Sequence, residues 1–505
     1  MRPAGALRSI GAVPIGEPAA QAGLDIIDTD DAGPAAIRGG IMRTASLAFG
    51  MLLSLAATPL LIRHLGDADF GRYSAVLAVV MVVGGLMDGG ISTIALRELA
   101  VTTQPAARQR LMSDLLGLRL VLSALGIVLA VGFSALAGYG PALVLGTLLA
   151  GVGIVVLASM QALVGAVLQS RLRFGWASLI ELARQLVNAA LVVVLALAGA
   201  SLVSFLAVPV ASGIVALVLT AMLVRGIVLL RPAFHPRRWL PLVRTTFVFA
   251  VAIAINTLYF RVALLVMSLV ATATQTGYFA VSYRIIEVLI VIPALLIGAV
   301  FPIISRAAHS DRERFQYATG RMFELAVLLG ALLSLCLLLV APFAIELLVG
   351  RSNHPSVEIL QIQSFAVLAS FVAVATGFPL LSMHRHRETL IANCVSLIFA
   401  IVLALVLATQ YGARGAAVAA IIADFALAAA NTTMLMRNGG PRLPLTALPV
   451  ALVAVLAGYA AGRLVGIHPL VEVAIGAIVF LSALVAMRRL PPELRDLLRR
   501  RTVKF

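Results

Sequence analysis

The chain has 505 residues, of which 61% are hydrophobic and only 12% charged, with a formal net charge of +16. A soluble chain of this length carries about twice that charged fraction, and no water-surrounded core hides so many apolar side chains, so the excess must face lipid. Almost all the positive charge is arginine, set in short clusters between apolar runs with no aromatic-interleaved basic face, which argues against nucleic-acid binding.

The first forty residues are rich in Gly, Ala and Pro, with acidic Asp28, Asp30 and Asp31. No compact apolar stretch follows Arg2 and Arg8, so this segment reads as a disordered cytoplasmic tail and not as a signal peptide. Apolar runs of about 18 residues or more then recur almost to the end of the chain, the pattern of membrane-spanning helices. They predict an all-α polytopic membrane protein of about fourteen helices, near 44–64, 73–95, 114–138, 141–167, 176–198, 201–224, 245–270, 275–303, 321–349, 357–382, 388–409, 413–435, 446–466 and 469–487.

Alternate connections carry the arginines. Arg43, Arg108 and Arg110, Arg171 and Arg173, Arg237 and Arg238, Arg306 and Arg312, Arg385 and Arg387, and Arg437 and Arg442 belong to one set. The other set holds only Arg63, Arg72, Arg351, Arg414 and Arg463. The positive-inside rule then places both termini in the cytoplasm of a cytoplasmic-membrane protein, with very short outer loops. Such loops leave no room for an external catalytic domain, and no catalytic residue is assigned.

The chain also repeats itself. Gly71-Arg72-Tyr73-Ser74-Ala75-Val76 enters the second helix and Gly277-Tyr278-Phe279-Ala280-Val281 the eighth; Arg171 and Arg173 before Leu179-Ile180 are echoed by Arg385 and Arg387 before Leu390-Ile391. A same-direction repeat of six helices predicts two lobes with a substrate site between them near the midplane. The implied division is a tail over 1–40, an N-lobe over 41–224, a cytoplasmic linker over 225–244, a C-lobe over 245–436, two added helices over 437–490 and a basic cytoplasmic tail over 491–505.

Several short stretches carry a family resemblance. They are Leu65-Gly66-Asp67-Ala68-Asp69-Phe70-Gly71-Arg72-Tyr73, Asp88-Gly89-Gly90-Ile91 with Arg97-Glu98, Gly277-Tyr278-Phe279 with Tyr283-Arg284, and Phe301-Pro302 with Ser305-Arg306. Ala344-Ile345-Glu346-Leu347-Leu348-Val349-Gly350, Leu360-Gln361-Ile362 and Tyr411-Gly412-Ala413-Arg414-Gly415-Ala416-Ala417 complete the set. In this order the chain resembles the polysaccharide-biosynthesis (oligosaccharide-lipid) flippases of the superfamily that also contains multidrug and toxin extruders. The resemblance implies alternating-access transport of a polyprenyl-diphosphate-linked saccharide, with a polysaccharide polymerase and glycosyltransferases as partners. The chain departs from the family at Ala263, where members often carry an acid.

Ionisable residues inside spans cost about 2.5–3.5 kcal/mol each at a helix centre and therefore mark candidates. Arg261 and Arg284 both fall about nine residues from an outer helix end, roughly 14 Å deep at about 1.5 Å per residue. As substrate-binding groups they would offer a diphosphate paired donors; alternatively they pair with carboxylates and lock helices. Asn256 and Tyr259 would hydrogen-bond a sugar or a neighbouring helix. Glu287, three residues after Arg284, is a counter-charge or a coupling group; Asp424 invites a proton-coupling role; Asp88, among four glycines, is a packing or coupling residue. Glu181 and Arg184 read as a surface pair. Cys336 and Cys394 read as small core residues, and the scattered histidines predict no metal site. No cofactor is expected. The rival readings are a multidrug extruder of the same superfamily and a membrane enzyme or scaffold of envelope polysaccharide assembly. Against the extruder, the first helix has no acid between Thr44 and Ile62.

Overall fold

The computed structural model describes residues 32–488, except 103, 352, 353 and 438. Most of the N-terminal tail and the basic C-terminal tail over 491–505 lie outside the described residues. The helices are α1 (Ala32–Asp88), α2 (Ile91–Val101), α3 (Pro105–Leu136), α4 (Pro141–Gly151), α5 (Ser159–Gln169), α6 (Phe174–Leu197), α7 (Leu202–Val224) and α8 (Pro236–Val270). They continue as α9 (Ala273–Leu289), α10 (Val291–Ser310), α11 (Arg312–Val349), α12 (Ser356–Ser382), α13 (His386–Arg437), α14 (Ala447–Val465) and α15 (Pro469–Ala486). A π-helical stretch, Val152–Ala158, joins α4 to α5. There is no strand among the described residues. Helix α1 starts at Ala32, so residues 32–40, placed in the disordered tail by the sequence reading, are helical.

Twelve helices among the described residues are long and apolar enough to cross a membrane, against the about fourteen expected. The difference lies in two long continuous stretches, Met42–Val101 with 60 residues and His386–Arg437 with 52. A straight helix of the first length would run about 90 Å, some three times the hydrocarbon thickness. Both are broken by a glycine with left-handed or otherwise non-helical dihedrals, Gly66 (φ 72, ψ 175) and Gly412 (φ 58, ψ −134). These are the places where the sequence reading had divided them. The chain reverses at Gly412, because a Cβ on Gly415 would lie 2.0 Å from the Leu407 carbonyl oxygen, eight residues away.

The connections expected on the outer side meet at one end of the bundle. His64 bonds the Ala200 carbonyl at 2.8 Å, His354 bonds Asp67 at 3.0 Å, and the Tyr139 hydroxyl donates to Ser268 at 2.9 Å. The Ala413 amide donates to Gln275 at 3.1 Å. The connections expected on the inner side meet at the other end. Arg43 donates to Gln169 at 3.1 Å, and Gln109 holds both backbone groups of Leu229, at 2.7 and 2.8 Å. The Ala233 amide donates to the Ser113 carbonyl at 2.8 Å, so the linker before α8 is strapped along α3. Up-and-down alternation of the spans follows from these contacts.

One central core joins α1, α9, α11 and α12, with Ile62, Phe279, Val281, Ile345 and Phe371 almost fully buried. A second cluster packs α2, α3 and α5 around Leu99, Met112 and Leu163. Helices α14 and α15 pack on each other and on α11 through Leu335, Ala454 and Phe480. The α9–α10 junction falls at Ile290, just before Pro293. A proline supplies no amide to bond the carbonyl one turn back, which breaks the helix there.

Candidate functional site: two arginines on one carboxylate

A cavity of about 520 Å³ opens between α1, α6 and α9, with further wall from the π-helical stretch, α5, α7 and α8. Ser54 and Met81 both line it, which requires that the two limbs of α1 lie side by side about the Gly66 turn. Its deep charged group is built from α8 and α9. Arg261 forms a close ion pair with Glu287, and Arg284 meets the other oxygen of the same carboxylate at 2.8 Å. Glu287 and Arg284 share a helix face at i,i+3 spacing; Arg261 reaches them from the preceding helix.

Arg284 is also tied across to α1, donating to the Ser54 hydroxyl at 2.5 Å and facing the Thr58 hydroxyl at 3.4 Å. All three of its guanidinium nitrogens are engaged. Among the described residues Arg261 bonds only Glu287, so its fork keeps donors to offer. Two cations on one anion leave the group with a net single positive charge. The opposite wall is amphipathic: Gln161, Gln185 and Asn188 present amides, and Glu181 and Arg184 stand beside them as a pair bonded through the guanidinium Nε at 3.0 Å. The sequence reading had put that pair on the surface; α6 turns it onto the cavity instead.

The remaining expected residues fall elsewhere. The Tyr259 hydroxyl donates to Asp424 at 2.5 Å, beside a separate small cavity of about 40 Å³ that Gln363 also lines. Asn256 is exposed and is not among the residues lining the central cavity. Asp88 is paired at 2.8 Å with Arg119 of α3, whose side chain is 2% exposed, and accepts from the Ser92 hydroxyl at 2.8 Å. Arg119, missed by the sequence reading, also donates to the Met87 carbonyl at 3.3 Å. Its only sequence signal is an ionisable residue six positions into an apolar run.

Among the described residues no group of three or more His, Cys, Asp or Glu side chains is arranged to hold a metal. The cavity offers guanidinium donors, amides and two carboxylates paired with arginine.

A bundle of apolar helices around a charged internal cavity defines a multi-pass membrane protein, and comparison with solved structures identifies its fold as that of the MOP-superfamily transporters. The chain belongs to the polysaccharide biosynthesis protein family, whose model matches residues 36–308. It superposes on the lipid II flippase MurJ in an inward closed conformation with a TM-score of 0.74 at 14% identity, over 89% of this chain and 99% of that one. An inward-facing multidrug resistance MATE family transporter matches with a TM-score of 0.64 at 13% identity, over 77% and 94% of the two chains. A MOP superfamily transporter from Pyrococcus furiosus, described as having a binding pocket of reversed polarity, gives 0.56 at 16% identity, over 80% and 95%. No curated protein sequence matches the chain.

Proposed function

We propose that this protein carries a polyprenyl-diphosphate-linked oligosaccharide across the cytoplasmic membrane by alternating access, feeding cell-surface polysaccharide synthesis. The observation that carries the reading is the Arg261–Glu287–Arg284 group on the cavity wall. A diphosphate entering beside it would compete with Glu287 for the Arg261 fork, exchanging one charge-assisted pair for another at little cost in desolvation. The amides of Gln161, Gln185 and Asn188 would meet saccharide hydroxyls, and the lipid tail would stay in the bilayer.

In this account the helices before residue 225 and those from 245 to 436 act as two lobes. The cavity between them is sealed at the Gly66 end and is exposed in turn to either side. Both termini face the cytoplasm, and a polymerase and glycosyltransferases handle the same carrier lipid. Asp424 and Glu287 are the candidates for coupling to an ion; Asp88, held by the buried Arg119, serves packing. The multidrug-extruder reading is less favoured, because both acids on the cavity wall are already paired with arginine.

Binding of a short-chain polyprenyl diphosphate disaccharide to the purified protein tests the substrate class. Saturable binding that Arg261→Ala abolishes, and that the monophosphate analogue fails to match, is expected. Equal binding of both lipids by the wild type would remove the diphosphate from the account.

A further inference from the structure

At the end of the bundle opposite the Gly66 turn, His309 comes together with His384 and His386, which lie some 75 residues further along the chain. His309 is the penultimate residue of α10, His384 lies in the turn between α12 and α13, and His386 opens α13. The Nε2 atoms of His309 and His384 are 3.2 Å apart, and the rings of His384 and His386 are 6.1 Å apart between centroids. All three are exposed.

We propose that His309 and His384 form a binding site for a divalent first-row transition ion, with zinc the reference case. Two imidazole nitrogens that share a tetrahedral zinc at about 2.0–2.1 Å stand roughly 3.3 Å apart, close to the spacing found here. The second observation concerns the proton on His309. Its Nδ1 lies 2.9 Å from the Ser305 carbonyl oxygen, which can only accept, so Nδ1 carries the hydrogen and Nε2 presents its lone pair toward His384. A ring nitrogen bonded to a backbone carbonyl is the usual outer support of a metal-ligating histidine.

The third observation is the backbone at His384. Its φ is 57°, at a helix end where the Arg385 amide bonds the Leu380 carbonyl at 3.0 Å, the place that glycine normally takes. An imidazole thus stands at a left-handed position that most side chains avoid, though histidine is among those that enter it more often. His384 would bind from its Nδ1–H tautomer, so a neutral pair takes up the ion without losing a proton. Because no third ligand converges among the described residues, water completes the shell. The ion would clip the end of α10 to the α12–α13 turn.

The same spacing also suits a plain hydrogen bond between two neutral rings, so the test is binding. The full chain, purified in detergent with a tag free of histidine and stripped by chelator, is titrated with zinc chloride in a calorimeter. One saturable site per chain with micromolar affinity is expected. His309→Ala and His384→Ala should each weaken it by at least about tenfold, with the metal-free melting temperature kept, while His235→Ala leaves binding unchanged. No saturable binding below millimolar zinc, or undiminished binding in His309→Ala, would overturn the site.

Discussion

Gly71 and Gly277 cross so closely that neither has room for a side chain: a Cβ on Gly71 would fall 2.6 Å from the Gly277 nitrogen, and one on Gly277 would fall 1.9 Å from the Asp67 carbonyl oxygen. The two residues hold matching places in the repeated motif, so the repeat meets itself at the end proposed to seal the cavity. Around the crossing, His354 bonds Asp67 at 3.0 Å and accepts the Ser356 amide at 3.2 Å, and Arg63 donates to the Leu347 carbonyl at 2.7 Å. Gly277→Ala should open this seal. Overpacking costs about 1–3 kcal/mol, a shift of roughly five- to a hundredfold toward the open state, since each 1.4 kcal/mol is about tenfold. The readout is labelling of Ala57→Cys, in a chain lacking Cys336 and Cys394, by an impermeant thiol reagent applied from the Gly66 side. Faster labelling is expected; an unchanged rate would show that the crossing is not the seal.

The shared carboxylate sets an order among single substitutions. Arg284→Ala leaves Glu287 paired with Arg261, and Arg261→Ala leaves it paired with Arg284. Glu287→Ala strands two guanidiniums side by side, and uncompensated buried charge costs about 3–5 kcal/mol. Glu287→Ala should therefore lower detergent-extracted yield and melting temperature more than either arginine substitution. Arg284→Ala proving as damaging as Glu287→Ala would contradict the three-residue group.

A similar comparison separates packing from function at Asp88. With the Arg119 side chain only 2% exposed, Asp88→Ala leaves a guanidinium without its counter-charge and should reduce yield sharply. The double change Asp88→Ala with Arg119→Leu should restore the yield and keep transport. Transport that stays lost in a well-folded double variant would assign Asp88 a part in coupling.

Much of this architecture was legible because lipid imposes long apolar runs and the arginines mark alternate connections. The turns at Gly66 and Gly412 were legible too, each lying between two spans. Depth along a helix can be read from the sequence, but azimuth cannot. That is why Glu181 and Arg184 were placed on the surface when α6 turns them onto the cavity. Arg119 was missed because an arginine six residues into an apolar run looks able to snorkel to the interface. The Tyr259–Asp424 bond joins residues 165 positions apart, and no local spacing announces it. The Arg284–Glu287 pair, at i,i+3, was one of two readings for Glu287, and pairing with carboxylates was one of two for Arg261; that both arginines share one carboxylate was not specified.

Orientation has a direct check. Ser201, in the connection between α6 and α7, and Ser310, at the end of α10, lie at opposite ends of the bundle and are both exposed. As single cysteines in intact cells, Ser201→Cys should react with an impermeant thiol reagent and Ser310→Cys should not. The reverse pattern would invert the topology and place both termini outside.

The central claim is transport of a diphosphate-linked saccharide through the cavity that Arg261 lines. Its most direct test uses proteoliposomes loaded with a fluorescent polyprenyl diphosphate oligosaccharide, with a membrane-impermeant lectin reporting the headgroups that reach the outer leaflet. The wild type should raise the transfer rate well above that of empty vesicles, Arg261→Ala should abolish the increase, and Arg261→Lys should recover part of it, since a point charge replaces a fork. Transfer that is absent in the wild type, or undiminished in Arg261→Ala, would contradict the account.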